Sequence, residues 1–202
     1  MKRSRQVAGV CAFSLAIALA GPAFGATIDG TPGADRLEGT PQADTISAMG
    51  GDDRVWSYGG ADEVHGGPGH DRLELGGGDD TAHTGGGNDL VFAGPGDDVI
   101  SGVAGNVTMR GGPGADFLQV SGRKTNVLYG GGGPDQISVQ SHGPEWVSAG
   151  DGDDLIEIHN LDDTPESDVI RCGRGFDRVF YYLLAVDDTD KLVGCEDVDA
   201  ED

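Results

Sequence analysis

Aspartate recurs along this chain at a spacing that builds a ladder of oxygen ligands. Between Gly66 and Ser101 four nine-residue rows follow one another: GGPGHDRLE, LGGGDDTAH, TGGGNDLVF, AGPGDDVIS. Each has a glycine-rich turn, an aspartate in sixth place and an apolar residue in eighth place. Extended from Gly30 to Phe180, the frame gives sixteen rows, and thirteen of the sixteen sixth-place residues are aspartate. In a chain that coils once every two rows, residues eighteen apart stand above one another. Seven aspartate pairs have that spacing, from Asp35/Asp53 to Asp98/Asp116, and Asp116/Asp135 and Asp135/Asp154 are offset by one-residue insertions. Stacked carboxylates beside turns that expose backbone carbonyls suit calcium, which takes six to eight hard oxygen ligands; magnesium, which demands tight octahedral geometry, fits less well. Two carboxylates about 4 Å apart repel by roughly 4 kcal/mol at an effective dielectric of 20. A metal-free ladder therefore opposes folding, and calcium should couple binding to folding.

The elements that position these carboxylates follow from the eighth-place column. All sixteen of its residues are apolar, against 37 % hydrophobic residues in the whole chain. Six residues of each row turn and three form a short strand, so two rows complete one coil. The expected fold is all-β: a right-handed parallel β-roll, or β-solenoid, of about sixteen nonapeptide half-coils. Eight coils stacked at roughly 4.8 Å give a rod of about 40 Å. Eighth-place side chains point inward and their neighbours outward. One inward side chain per row makes a thin core, so something besides apolar burial must hold the coils together. A disordered acidic tract would need no periodic apolar column.

The nine-residue pattern G-G-x-G-x-D-x-U-x resembles the RTX, or haemolysin-type calcium-binding, repeat. The resemblance implies that calcium lies between successive turns, held by paired aspartates and turn carbonyls. It carries that role to Asp35, Asp44, Asp53, Asp62, Asp71, Asp80, Asp89 and Asp98. With looser matching it extends to Asp116, Asp135 and Asp154, so several ions are expected. Asn126 and Glu145 also carry oxygen, whereas Val107 offers none and the sites beside it should be weak or empty. The segment from Cys172 to Val179, followed by Cys195-Glu196-Asp197-Val198, looks like the ending of short secreted bacterial relatives. The toxin, lipase and protease domains of the larger RTX proteins have no counterpart here, and their activities do not transfer.

Residues 1–25 read as a signal peptide: Lys2, Arg3 and Arg5, an apolar run from Val7 to Ala20, and small residues around Ala23-Phe24-Gly25. A retained membrane anchor is the alternative. Removing the segment loses three basic residues and no acidic one, taking the formal charge from -22 to -25. Such a chain repels nucleic acid and anionic lipid and collects cations. Cys11 leaves with the segment, and Cys172 with Cys195 then makes a disulfide the default pairing outside the cell. The roll is expected over residues 26–180, with a C-terminal cap over 181–202. Ile28 is expected to cover one end and the apolar run Phe180 to Val186 the other.

The outward columns hold residues that could carry a second chemistry. Arg36, Arg54 and Arg72 fall eighteen apart beside Glu38, Trp56 and Glu74, with Phe92, Tyr129 and Trp146 further along the same face. The face reads either as a salt-bridge ladder with scattered aromatics or as a sugar-gripping stripe. His65 and His83 lie one coil apart and lack a third ligand. No HExxH, GxSxG or phosphate-loop motif occurs. The expected function is a secreted, extracellular calcium-binding protein of structural or interaction role, not an enzyme. An adhesin or polysaccharide-binding module at the cell surface is the alternative, and a lyase or epimerase lacks the clustered acid and base it would need.

Overall fold

A computed structural model describes residues 14–17, 24–122, 125–141, 143–159, 167–182 and 190–201. Among them every regular element is a β-strand. The strands run β1 (Ser14–Ile17), β2 (Thr27–Thr31), β3 (Asp35–Glu38), β4 (Thr45–Met49), β5 (Arg54–Trp56), β6 (Glu63–Pro68), β7 (Arg72–Glu74), β8 (Thr81–Gly86), β9 (Asp89–Phe92) and β10 (Val99–Val103). They continue as β11 (Val107–Pro113), β12 (Phe117–Gly122), β13 (Val127–Gly132), β14 (Gln136–Ser141), β15 (Trp146–Asp151), β16 (Leu155–His159), β17 (Val169–Arg174), β18 (Arg178–Tyr182), β19 (Lys191–Val193) and β20 (Asp197–Glu201). Odd-numbered strands form one parallel sheet and even-numbered strands the other. The chain thus alternates between two facing sheets, which is the expected β-solenoid.

Register follows the row lengths. Partners are eighteen residues apart from Ile28↔Ile46 to Ile100↔Leu118, and nineteen apart at Met109↔Leu128 and Leu118↔Ile137. At Val147↔Ile170 the longer row raises the separation to twenty-three. The extra residues fall between strands, so each insertion lengthens a turn and leaves the inward face in phase.

All sixteen eighth-place residues, from Leu37 to Val179, are fully buried. The core is thicker than one side chain per row. Most strands continue past the eighth place, and alternation turns the first-place residue of the next row inward as well. Leu75, Val120, Val139, Ile158, Cys172 and Tyr181 occupy this second column and are buried. Small residues fill it elsewhere, as at Ala48, Ala93 and Ala149.

Within the expected C-terminal cap, β19 and β20 continue both sheets in parallel register: Ile170 pairs with Leu192 and Val179 with Val198. A disulfide joins Cys172 to Cys195. Of the apolar run expected to cover that end, Tyr181 is a core residue and Phe180 and Tyr182 are part-exposed on β18, while Leu183, Leu184 and Val186 lie outside the described residues. At the other end Ile28 packs in the core. Within the expected signal segment, β1 lies beside β3, with Ala16 opposite Leu37. Among the described residues no helix is long and apolar enough to cross a membrane.

Candidate metal centre

The two edges of the roll carry one ladder each. Asp35, Asp53, Asp71 and Asp89 climb the edge that leads into the odd-numbered strands, followed by Val107, Asn126, Glu145 and Asp168. Asp44, Asp62, Asp80, Asp98, Asp116, Asp135, Asp154 and Asp177 climb the other edge without a break. Every one of these carboxylates is at most 4 % exposed.

Each aspartate has two different oxygens. The backbone N–H of one sixth-place residue donates to Oδ1 of the residue one coil on. The distances are 2.7 Å for Asp35 to Asp53 and for Asp44 to Asp62, and 2.8–2.9 Å for Asp80 to Asp98, Asp98 to Asp116 and Asp135 to Asp154. The other oxygen does not share this satisfaction. Oδ2 of Asp53, Asp62, Asp71, Asp80, Asp89, Asp98, Asp116, Asp135, Asp154 and Asp177 is buried without a hydrogen-bond partner.

A buried carboxylate oxygen with no donor demands a proton or a cation. Burial accordingly pushes the carboxyls of Asp53, Asp62, Asp98 and Asp135 up to about 7, against the pull of the donated N–H bonds and with help from neighbouring carboxylates. Asp71, Asp80 and Asp154 rise to about 6 for the same first reason.

The donor set fits calcium. Among the described residues no three His, Cys, Asp or Glu side chains converge as a metal cluster. An ion here would take carboxylates from adjacent coils and complete its shell with backbone carbonyls, a hard-oxygen set. The turns supply close carbonyls because they are glycine. Gly78 has φ +130° and Gly87 +136°, and a Cβ would stand 2.0 Å from the Gly60 carbonyl oxygen and 1.6 Å from that of Gly69. Only residues without a side chain let successive turns approach so closely.

Not every predicted ligand is placed alike. Asp35 Oδ2 accepts the N–H and hydroxyl of Thr31, leaving Oδ1 as its buried unpartnered oxygen. Asp44 accepts from the Ala26 and Thr40 amides and the Thr40 hydroxyl, so both its oxygens are bonded within the protein. At the break in the first ladder, Val107 N–H donates to Asn126 Oδ1 at 3.0 Å. The Asn126 amide group then donates to Glu145 Oε1 at 3.2 Å, joined there by the Ser141 hydroxyl, and the Asn126 backbone N–H reaches Oε2 at 2.9 Å. Hydrogen-bond donors occupy there what a cation would occupy elsewhere.

Two features go beyond the ligands assigned from the resemblance. Asp177 continues the unbroken ladder, taking the Asp154 N–H at 3.0 Å; a twenty-three-residue coil hides its spacing. The fifth place stitches coils in the opposite direction. Asp52 accepts from His70 N–H at 2.9 Å, His70 Nδ1 from Asn88 N–H at 2.8 Å, and Asp79 from Asp97 N–H at 3.0 Å. The signal was the run of Asp, His and Asn immediately before the sixth-place aspartates.

On the even-numbered sheet the rings of His65 and His83 stack 5.0 Å apart. They contact Glu63 and Ser101 respectively, with no third metal ligand among the described residues. On the odd-numbered sheet Arg36 and Arg72 pair with Glu38 and Glu74 within their own strands and lie over Trp56 and Phe92 of the next coil. That face is both ion-paired and aromatic.

No protein of known, curated function matches the chain significantly. The family model of the RTX calcium-binding nonapeptide repeat (4 copies) does match it, at residues 29–64, 56–91, 65–100, 92–122 and 121–139, more than half of the sequence. Its matched span begins with the first aspartate rows and takes in both ladders through Asp135. The chain belongs to the RTX calcium-binding nonapeptide repeat family.

Proposed function

We propose that this protein is secreted, binds several calcium ions along its two aspartate ladders, folds as it does so, and serves a structural or interaction role outside the cell. The observation that carries the reading is the series of ten buried Oδ2 atoms without a hydrogen-bond partner of good geometry. Among the described residues only Asp62 and Asp89 have a hydroxyl near, from Ser57 and Thr84, and the Ser57 hydroxyl already donates to the Leu75 carbonyl. Each needs positive charge, and stacked pairs need it more. Asp35, Asp53, Asp71 and Asp89 on one edge, and Asp62, Asp80, Asp98, Asp116, Asp135, Asp154 and Asp177 on the other, are the ligands this reading assigns. Asp44 closes the N-terminal end of its ladder through Ala26 and Thr40, whereas Asp35 is bonded by Thr31 at Oδ2 only and its buried, unpartnered Oδ1 keeps it among the ligands. Export is supported by the leader-like residues 1–25 and by the disulfide, which suits an oxidising compartment. A calcium-poor interior would keep the chain loose until it leaves.

The test is a calcium titration of chelator-treated protein followed by far-UV circular dichroism. A cooperative gain of β-signal with calcium and not with magnesium is expected. A metal-free protein that is already compact and unfolds cooperatively at about pH 8, where the ladder carboxyls are ionised, would sink the coupling.

The aromatic and arginine face of the odd-numbered sheet favours a second reading within the same function: an extracellular module that grips polysaccharide or a cell surface. The proposal includes no enzymatic step.

A further inference from the structure

The outer face of the odd-numbered sheet has the opposite charge to the rest of the molecule. Arg36, Arg54, Arg72, Arg110, Arg171 and Lys191 lie on it, against the carboxylates of Glu38 and Glu74. The outer face of the even-numbered sheet is the reverse. There Arg178 stands among Asp29, Glu63, Glu157, Asp197 and Asp199. Six of the thirteen Lys and Arg residues thus share one face of a chain whose formal charge is -22.

The cations on that face are held in place. The Arg110 guanidinium lies 4.3 Å from the Tyr129 ring centre and 5.8 Å from that of Phe92, and Arg171 lies 4.9 Å from Trp146. Stacking uses the face of the guanidinium and leaves its N–H donors for a carboxylate or sulfate. Arg36 and Arg72 spend part of theirs on Glu38 and Glu74. Among the described residues no carboxylate pairs with Arg54, Arg110 or Arg171, so their charge is uncompensated. An ordered, stacked arginine also loses little freedom when it meets an anion.

We propose that this face binds a linear anionic polysaccharide, carboxylated or sulfated, laid along the axis of the roll. The sign of the charge selects a polyanion. The columns offer one position per coil at about 4.8 Å, over the length of the sheet, which suits an extended polymer. Both margins of the face are aspartate ladders, so a broad polyanion such as duplex nucleic acid is repelled where a single narrow strand is not. Aromatic rings between the cations supply apolar contact for sugar carbons. Calcium in the ladders lowers the repulsion at the margins, so binding strengthens with calcium. The anionic-glycan reading deepens the second reading given above, and only the calcium link rests on the calcium reading.

The test uses the full chain with saturating calcium, titrated by calorimetry with polygalacturonate, heparin and neutral dextran. At least one polyanion should bind, with an affinity that falls as salt rises, and dextran should not. Heparin alone binding would identify sulfate as the recognised group, and polygalacturonate alone would identify carboxylate. The double variant Arg110→Ala/Arg171→Ala should weaken binding by about tenfold or more. Arg178→Ala removes a cation of the opposite, even-numbered sheet, paired with Asp197 at 3.4 Å, and should change affinity by less than about twofold. A retained calcium-dependent dichroism change shows that each variant still forms the roll. If calcium-structured protein binds neither polyanion, or if Arg178→Ala weakens binding as much as the double variant, the proposal falls while the calcium reading stands. A second copy docking its acidic edge on this face would appear as a dimer in sedimentation velocity, abolished by the double variant, without glycan uptake; that outcome also overturns it. Glycan binding that survives without any calcium-dependent folding would uphold the face and sink the coupling.

Discussion

The backbone N–H of Asp80 donates to Oδ1 of Asp98 at 2.8 Å, while Oδ2 of the same carboxylate is buried without a partner. One oxygen stitches the coils and needs no metal. The other needs positive charge. Asparagine separates the two roles, since it keeps an accepting oxygen and removes the charge. Asp98→Asn should lower the number of calcium ions bound and raise the calcium midpoint several-fold, with the β-roll still reached at high calcium. Asp98→Ala loses the stitch as well and should cost a further 1–3 kcal/mol or so. Asp44→Asn is the contrast. Both Asp44 oxygens are bonded by Ala26 and Thr40, so the calcium count should hold. Calorimetric titration of the three variants decides it; equal loss of calcium from Asp98→Asn and Asp44→Asn would refute the distinction.

Much of this was legible in the chain because a period of nine gives each place one physical job. The sixth and eighth places are chemically uniform, so both ladders and half the core can be read directly. The first-place column was not readable: it turns inward as well, yet mixes Leu75 and Val139 with Ala48 and several glycines, so no composition marks it. Which aspartates lack a donor was also hidden. That depends on Thr31 and Thr40 taking second places otherwise given to other residues, and on Ser141 and Asn126 meeting Glu145 across a nineteen-residue coil. The aromatic stripe was visible as a set of residues, but its pairing was not. The insertion after Gly122 is what brings Arg110 level with Tyr129.

The raised carboxyls make the metal-free fold pH-dependent. Asp53, Asp62, Asp98 and Asp135 titrate near 7 in the roll, against about 4 in an unfolded chain. The folded state therefore holds more protons between those values. Stability from this source is fully present below about pH 4 and is lost as pH rises through 6 and 7. In chelator the protein should show more β-structure at pH 5 than at pH 8. In calcium the dependence should reverse in sense, because protons compete for the same oxygens and the calcium midpoint should rise as pH falls. Circular dichroism across pH with and without calcium checks both arms. Metal-free protein that gains structure on raising the pH would contradict the assignment of these carboxyls.

Turn glycines should divide sharply by position. At Gly87, φ is +136° and a Cβ would collide with the Gly69 carbonyl 1.6 Å away, so Gly87→Ala must push two coils apart. A loss of about 2 kcal/mol or more is expected, with weaker calcium binding at Asp71 and Asp89, whose turns flank the contact. At Gly33 the nearest atom to a Cβ is the Thr31 hydroxyl at 3.9 Å, and no positive φ is required. Gly33→Ala should be neutral or slightly stabilising. Denaturant midpoints at saturating calcium measure both.

The disulfide should matter most for the last coil. Cys172 is a fully buried first-place residue, while Cys195 is only partly buried and follows β19. The bond therefore ties the core of β17 to the coil made by β19 and β20, across a separation of twenty-three residues. Closing a loop of that size stabilises by roughly 3 kcal/mol in the chain-entropy model. Reduction in saturating calcium should release that amount, and hydrogen exchange should accelerate first in Lys191–Val193 and Asp197–Glu201, which have no coil beyond them among the described residues. Cys195→Ser should match the reduced protein, because its side chain stays near solvent. Cys172→Ser should be worse by a further 1 kcal/mol or more, since it places a hydroxyl in the apolar column. Exchange that accelerates evenly along the whole roll would mean that the bond supports global cooperativity and does not act as a local clasp.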